Sequence, residues 1–136
     1  RYGRRVGVIF IDLDGFKQAN DRYGHEAGDE VLRETANRLR QILRKSDFIG
    51  RYGGDEFVVI VGKDESKDYK TLANRILKSI AKPYYNNKID FITCSVGIAI
   101  SEDGDSVDTL IKKADFAMYS AKREGKNRYK FGPMST

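Results

Sequence analysis

The stretch at 47–61, DFIGRYGGDEFVVIV, constrains the fold more than any other. DFIGRY reads as one strand and the apolar, β-branched run FVVIV as its partner, with Gly53 and Gly54 as a two-residue turn between them. A chain holding such a hairpin carries an antiparallel strand pair against which its other elements must pack. The turn also raises a chemical question, because Asp55 and Glu56 follow the glycines directly. Glycine permits φ > 0 there, and two missing side chains leave room for a ligand to approach the backbone.

Around this hairpin the apolar residues change period. VGVIFID at 6–12 is a buried-strand pattern that ends in an acid. FKQANDRYGH predicts a short helical piece and a turn. From Ala27 to Leu43 the positions Ala27, Val31, Leu32, Thr35 or Ala36, Leu39, Ile42 and Leu43 recur at helical spacing. A second amphipathic helix is expected from Tyr69 to Ile80, ending before Pro83. IDFITCSVGIAI at 89–100 reads as one extended or bent strand, with Gly97 as a bulge. Asp105 or Ser106 can cap a third helix whose stripe is Val107, Leu110, Ile111, Ala114, Met118 and Ala121, with Gly125 past its end. RYKF at 128–131 is a last short strand. Hairpins mixed with helices imply an α+β sheet with helices covering its faces.

With 136 residues, 40% hydrophobic and 33% charged, the chain is long enough for one domain with a real core. Its apolar runs are strand-sized, so no membrane span is expected. The start carries no signal-like segment and no Met, which is expected of a piece of a larger protein. One cysteine, Cys94, excludes an internal disulfide and a cysteine metal cluster, and fits a reducing compartment. The net charge is +5, with much of the excess late, at Lys112, Lys113, Lys122, Arg123, Lys126, Arg128 and Lys130. Composition leaves two readings open, a solvated surface or a polyanionic partner such as a nucleic acid or a nucleoside triphosphate.

Asp12 and Asp14 stand where the first strand runs out, and Asp55 and Glu56 just past the hairpin turn. If the two strands are neighbours, the acids converge at one end of the sheet. Clustered carboxylates repel one another unless a hard cation lies among them. Mg²⁺ takes one or two carboxylates together with substrate phosphates, so such a cluster suits a nucleoside triphosphate site.

RYGGDEF at 51–57 resembles the signature of GGDEF domains, the bacterial diguanylate cyclases. DLDGFKQANDRYGHEAGD at 12–29, TCSVGIAI at 93–100 and ADFAMYSAKREGKNRY at 114–129 resemble three further family segments, in the family's order. The resemblance covers residues 6 to 131 and implies a mostly antiparallel five-stranded sheet flanked by helices, the nucleotidyl cyclase and polymerase palm fold. The domain is expected over 1–131, with 132–136 as a tail or linker. The family's preceding helical segment is not in the chain, and its departure KFGPMST resembles an exit into a following domain.

The resemblance implies a reaction and its parts. Two GTP molecules condense to cyclic di-GMP and two pyrophosphates, each 3′-hydroxyl attacking the α-phosphate of the other. Each domain holds one GTP, so a second such domain is the expected partner. Two Mg²⁺ or Mn²⁺ ions are implied, on Asp12, the Leu13 carbonyl, Asp55 and Glu56. Asp55 also helps to deprotonate the 3′-hydroxyl, and Glu56 shares the catalytic role. Gly53 and Gly54 pack against GTP, Asn20 and Asp29 read the guanine, and Lys17, Lys122 and Lys126 hold phosphates. Asp29 can accept from the guanine N1–H and N2–H₂, groups that adenine lacks. Lys126 stands where the family often has Arg, which keeps the charge and loses the two-pronged geometry. Apart from the motif, Lys122 and Lys126 are four residues apart and read as one exposed helix face. Arg44-Lys45-Ser46-Asp47 matches the R-x-x-D of the family's inhibitory product site, where Arg44 and Asp47 would bind cyclic di-GMP.

Ala19 replaces a usual Ile and is a packing change. The alternative to an active cyclase is a catalytically silent module that binds GTP or cyclic di-GMP. Nucleic-acid binding by the late basic cluster is not expected, because Tyr119 has the spacing of a packing residue. No membrane contact by this chain and a cytoplasmic location are expected.

Overall fold

β1 (Gly7–Asp14) is buried along its whole length and lies in the middle of the sheet. The computed structural model describes residues 6–62, 68–102 and 104–132; of the expected tail only Gly132 falls among them, and 133–136 lie outside. After β1 come α1 (Phe16–Tyr23), α2 (His25–Ile42), β2 (Phe48–Arg51), β3 (Glu56–Val61), α3 (Tyr69–Ile80), β4 (Thr93–Ile100), α4 (Val107–Arg123) and β5 (Arg128–Phe131). The sheet order is β2-β3-β1-β4-β5, antiparallel throughout except for the parallel β4–β5 pair. This is the expected α+β fold with a mostly antiparallel five-stranded sheet. No helix among the described residues is long and apolar enough to cross a membrane.

Strand alternation divides the core in two. Ile9, Ile11 and Leu13 of β1 join Phe57 and Val59 of β3 and Cys94, Val96 and Ile98 of β4 in the larger cluster, beneath α1, α2 and α3. Val8, Phe10, Val58 and Ala99 point the other way and meet Leu110, Ala114 and Met118 of α4. Arg38 ties α2 to the end of α3. It donates to the carbonyls of Ser79, Lys82 and Pro83 at 2.8, 2.9 and 2.6 Å, and its guanidinium lies 3.8 Å from the Tyr84 ring centre.

Three local expectations need correction. The hairpin turn is longer than two residues, because the Tyr52 N–H donates to the Glu56 carbonyl at 2.8 Å and carries the pairing one step past Arg51 and Phe57. Gly53, Gly54 and Asp55 form the turn, and neither glycine takes a left-handed φ. The strand expected over 89–100 begins only at Thr93. Ile89 instead pairs with Tyr84 across a tight turn in which Tyr85, Asn86 and Asn87 all have positive φ. Gly97 is no bulge, since it stays in register opposite Phe10 and Lys130. A Cβ there would run into the Ala114 carbonyl and the Met118 N–H, so its glycine lets α4 lie close on the sheet. Of the two cap candidates, Ser106 caps α4 by accepting from the Thr109 N–H at 3.1 Å. Asp105 is occupied by the Glu102 N–H and Lys113.

Candidate active site

The site grows from the end of β1. Asp12 and Asp14 share the face of Val8 and Phe10, which is the face that α4 covers. Asp12 stands opposite Glu56 of β3 and Ser95 of β4, and Asp14 opposite Thr93. The Leu13 N–H donates to the Asp55 carbonyl at 3.0 Å, which pins the hairpin turn against β1. On α4, Lys122 continues the buried stripe of Ala114 and Met118 by a further four residues, so its side chain reaches the same place. The expectation that strand end and hairpin bring their acids together holds.

Asp14 is satisfied on every side. Its carboxylate accepts from Thr93 Oγ1 at 2.9 Å, Ser95 Oγ at 3.0 Å, Lys122 Nζ at 2.8 Å and the Asn127 N–H at 3.2 Å. A buried carboxylate keeps its charge only with such partners.

Asp12 differs. Its buried carboxylate takes no hydrogen bond among the described residues, and its ionic neighbour is Lys122, at 3.6 Å. Burial pushes its carboxyl up to about 6; Lys122 opposes the rise, and Asp55, Glu56 and Asp14 add to it. Glu56 is raised in the same direction, by burial first and then by Asp55 and Asp115. For Lys122, burial works against the charge, but the Asp14 hydrogen bond and the charges of Asp12, Asp14 and Asp55 outweigh it and hold its ammonium above the ordinary value. Among the described residues no three His, Cys, Asp or Glu side chains are grouped so as to hold a metal by themselves. The donor set is nonetheless all oxygen, anionic and under-neutralised. It fits a hard divalent cation whose remaining ligands are phosphate oxygens and water.

The two glycines of the turn differ in their surroundings. A Cβ on Gly53 would overlap Glu56 Oε1, whereas one on Gly54 would meet nothing within 4 Å. Gly53 thus makes room for the Glu56 carboxylate, and Gly54 leaves the surface open. Arg51 closes the turn, donating to the carbonyls of Gly53 and Gly54 at 3.4 and 3.0 Å.

The remaining expected residues scatter. Asn20 of α1 packs its amide oxygen against Gly28, the residue before Asp29 of α2. Asp29 is exposed and borders a cavity of about 420 Å³ with Arg33, Arg40 and Arg51 on its walls. Lys17 is exposed and pairs with Asp21 at 3.2 Å. Lys126 does not share a helix face with Lys122, because α4 has ended at Arg123 and Lys126 has φ 67 in the turn after Gly125. Arg44 and Asp47 lie in the turn between α2 and β2. Asp47 accepts from the Arg44 N–H at 2.9 Å and the Gly62 N–H at 3.4 Å, and both residues border a cavity of about 260 Å³.

The sequence assigns no part to Thr93, Ser95 and Asn127, and none to Asp14 beyond joining the acid cluster. The signal was present in the TCS of β4 and the KN after α4, but their common target appears only when β4 and α4 lie on either side of β1. Cys94, between Thr93 and Ser95, faces the opposite core. Burial, then Asp14 and Asp12, push its thiol far above the ordinary range, so it is an inert packing residue.

A sheet of this order, with acids gathered at the end of its central strand, is the palm of a nucleotidyl cyclase. The family model described as "Diguanylate cyclase, GGDEF domain" matches residues 1–128, and the chain belongs to that family. It is 46% identical over 133 residues to the bifunctional diguanylate cyclase/cyclic di-GMP phosphodiesterase MucR of Pseudomonas aeruginosa. That match covers 96% of this chain and 19% of MucR, so the chain spans about a fifth of this relative's length. The GGDEF-only structure of TpbB, also called YfiN, from Pseudomonas aeruginosa superimposes with a TM-score of 0.89 at 37% identity, covering 97% of this chain and 79% of that one. The GGDEF domain of DgcB from Caulobacter crescentus, solved in complex with c-di-GMP, gives 0.86 at 30% identity and covers 96% and 79%.

Proposed function

We propose that the chain is an active diguanylate cyclase domain that condenses two GTP into cyclic di-GMP and two pyrophosphates. The observation that carries this reading is the meeting of Asp12, Asp55 and Glu56 at one sheet end beside Lys122, within a family named for that activity.

Asp12, Asp55, Glu56 and the Leu13 carbonyl would hold Mg²⁺ or Mn²⁺, two ions per site. When bound, the cation supplies charge neutralisation at the triphosphate and makes the 3′-hydroxyl more acidic. The protein's own part is to hold and orient. Asp55 sits in the turn at the edge of the cluster and accepts the 3′-hydroxyl proton. Asn20 of α1 and Asp29 of α2 read the guanine edge. Adenine would leave them unpaired, which makes discrimination strong. Lys122 turns from Asp12 toward a phosphate, with Asp14 keeping its ammonium in place, and Lys17 from the start of α1 and Lys126 from the turn after α4 add charge. Gly54, open to solvent, lets the turn lie against the nucleotide.

A single domain holds one GTP, so two copies face each other for both bonds to form, and proximity supplies much of the rate. Arg44 and Asp47 form the product-inhibition site; Asp47 fixes the turn through backbone donors while Arg44 presents its guanidinium. Its GTP supply places the domain on the cytoplasmic side, with residues 1–131 as the functional unit.

The test is product analysis. The purified chain is incubated with GTP and Mg²⁺ across a wide range of protein concentration, and cyclic di-GMP is assayed by chromatography. A rate per mole of protein that climbs with concentration is expected. A folded chain that binds GTP and forms no product at any concentration would instead indicate a binding module.

A further inference from the structure

The outward face of α4 carries two large aromatic side chains. Phe116 is 64% exposed and Tyr119 53%, three residues apart and so on one helix face. With Ser120, Arg123 and Glu124 they border a hollow of about 340 Å³. The Arg123 guanidinium lies 5.9 Å from the centre of the Tyr119 ring. Single apolar residues on a surface need no partner, but two neighbouring aromatics around a hollow form a patch.

The charges around the patch are spaced as well. Asp115, Tyr119 and Arg123 follow one another at four-residue intervals, which makes them one ridge on the helix surface. Neither Asp115 nor Arg123 forms an ion pair among the described residues. An acid and a base thus stand at equal intervals on either side of an aromatic. Such a ridge complements itself. When two copies cross antiparallel at Tyr119, Asp115 of each lies beside Arg123 of the other. Packing of such ridges against each other is the commonest contact between helices. The opposing helix ends at Arg123, so Lys112, a further turn out, lies beyond it.

We infer that this face of α4 is a contact between two copies of the chain, in which Phe116 of each seats in the hollow of the other and Asp115 pairs with Arg123 across a two-fold axis. The contact rests only on this face; that it is the productive pairing of two GTP-loaded domains rests on the cyclase reading. The face adjoins the site, since the charge of Asp115 acts on the Glu56 carboxyl and Lys122 of the same helix reaches Asp12. Joining the two faces therefore brings two catalytic edges to one axis. A single helix pair buries little surface, which makes the association weak and concentration-dependent.

Sedimentation velocity from micromolar to millimolar protein tests it, on the wild type, Asp115→Arg, Arg123→Asp and Phe116→Ser, each matched by circular dichroism. Asp115→Arg sets Arg against Arg in both pairs, and Arg123→Asp sets Asp against Asp. Each alone is expected to self-associate about tenfold more weakly than the wild type, or worse. Mixed in equal amounts they restore both opposite-charge pairs, and the mixture should associate about as tightly as the wild type. Phe116→Ser should weaken association about tenfold and lower turnover at low protein concentration, approaching the wild type as concentration rises. A wild type monomeric throughout, single variants that associate like the wild type, a mixture no better than its parts, or Phe116→Ser with full turnover at every concentration would each overturn the contact. Association as expected, with no cyclic di-GMP formed from GTP, would count against the cyclase reading alone.

Discussion

Asp12 and Asp14 stand two residues apart on one face of one strand, both buried, yet they occupy opposite kinds of surroundings. Asp14 sits in a knot of donors drawn from β4, α4 and the turn before β5. Asp12 faces Glu56 and Asp55, with one ammonium at 3.6 Å for relief. The knot holds the architecture together, since it joins three elements at the sheet end. The open edge stores charge repulsion that a bound cation can relieve. Two carboxylates of the same motif thus divide the work, and the difference lies in who donates to each.

The open edge is most sensitive at Asp55. Asp55→Asn is expected to lower GTP turnover about 10²- to 10⁴-fold, measured by product chromatography, while the melting temperature stays near that of the wild type. On the knot side the effect moves to stability. Asp14→Ala leaves Lys122 part-buried beside only Asp12 and should cost about 3 kcal/mol in urea denaturation, at the lower end for a broken buried pair because Lys122 is 27% exposed. Asp12→Asn should do the reverse. It removes a buried charge that three carboxylates disfavour, and Lys122 keeps Asp14, so the metal-free protein should gain about 1–2 kcal/mol while losing activity. Ser95→Ala is the finest probe. It deletes one of four donors to Asp14 and is expected to cost about 1 kcal/mol with KM for GTP unchanged.

What could be read before the fold was known follows the same divide. Asp55 and Glu56 could be singled out because they stand inside one contiguous signature, RYGGDEF, and periodicity located α3 to the residue, Tyr69–Ile80. The Asp14 knot was hidden because its donors come from positions 93, 95, 122 and 127, whose meeting depends on β4 pairing with β1 and on α4 crossing the sheet. Gly97 misled for the same reason, as a glycine inside a strand pattern signals either a bulge or a close neighbour, and the neighbour is α4. Lys122 and Lys126 look like one helix face by spacing, but Gly125, with φ 131, and the two left-handed residues after it turn the chain away.

On this division of roles the open edge, and not the knot, takes up a metal-bound triphosphate. The direct measurement is the rise in melting temperature of the wild type, Asp12→Asn and Ser95→Ala when a non-hydrolysable GTP analogue and Mg²⁺ are added together. The wild type and Ser95→Ala should rise by the same amount, from different starting points, and Asp12→Asn should not rise. A full rise in Asp12→Asn would contradict the assignment of Asp12 as the cation-holding carboxylate.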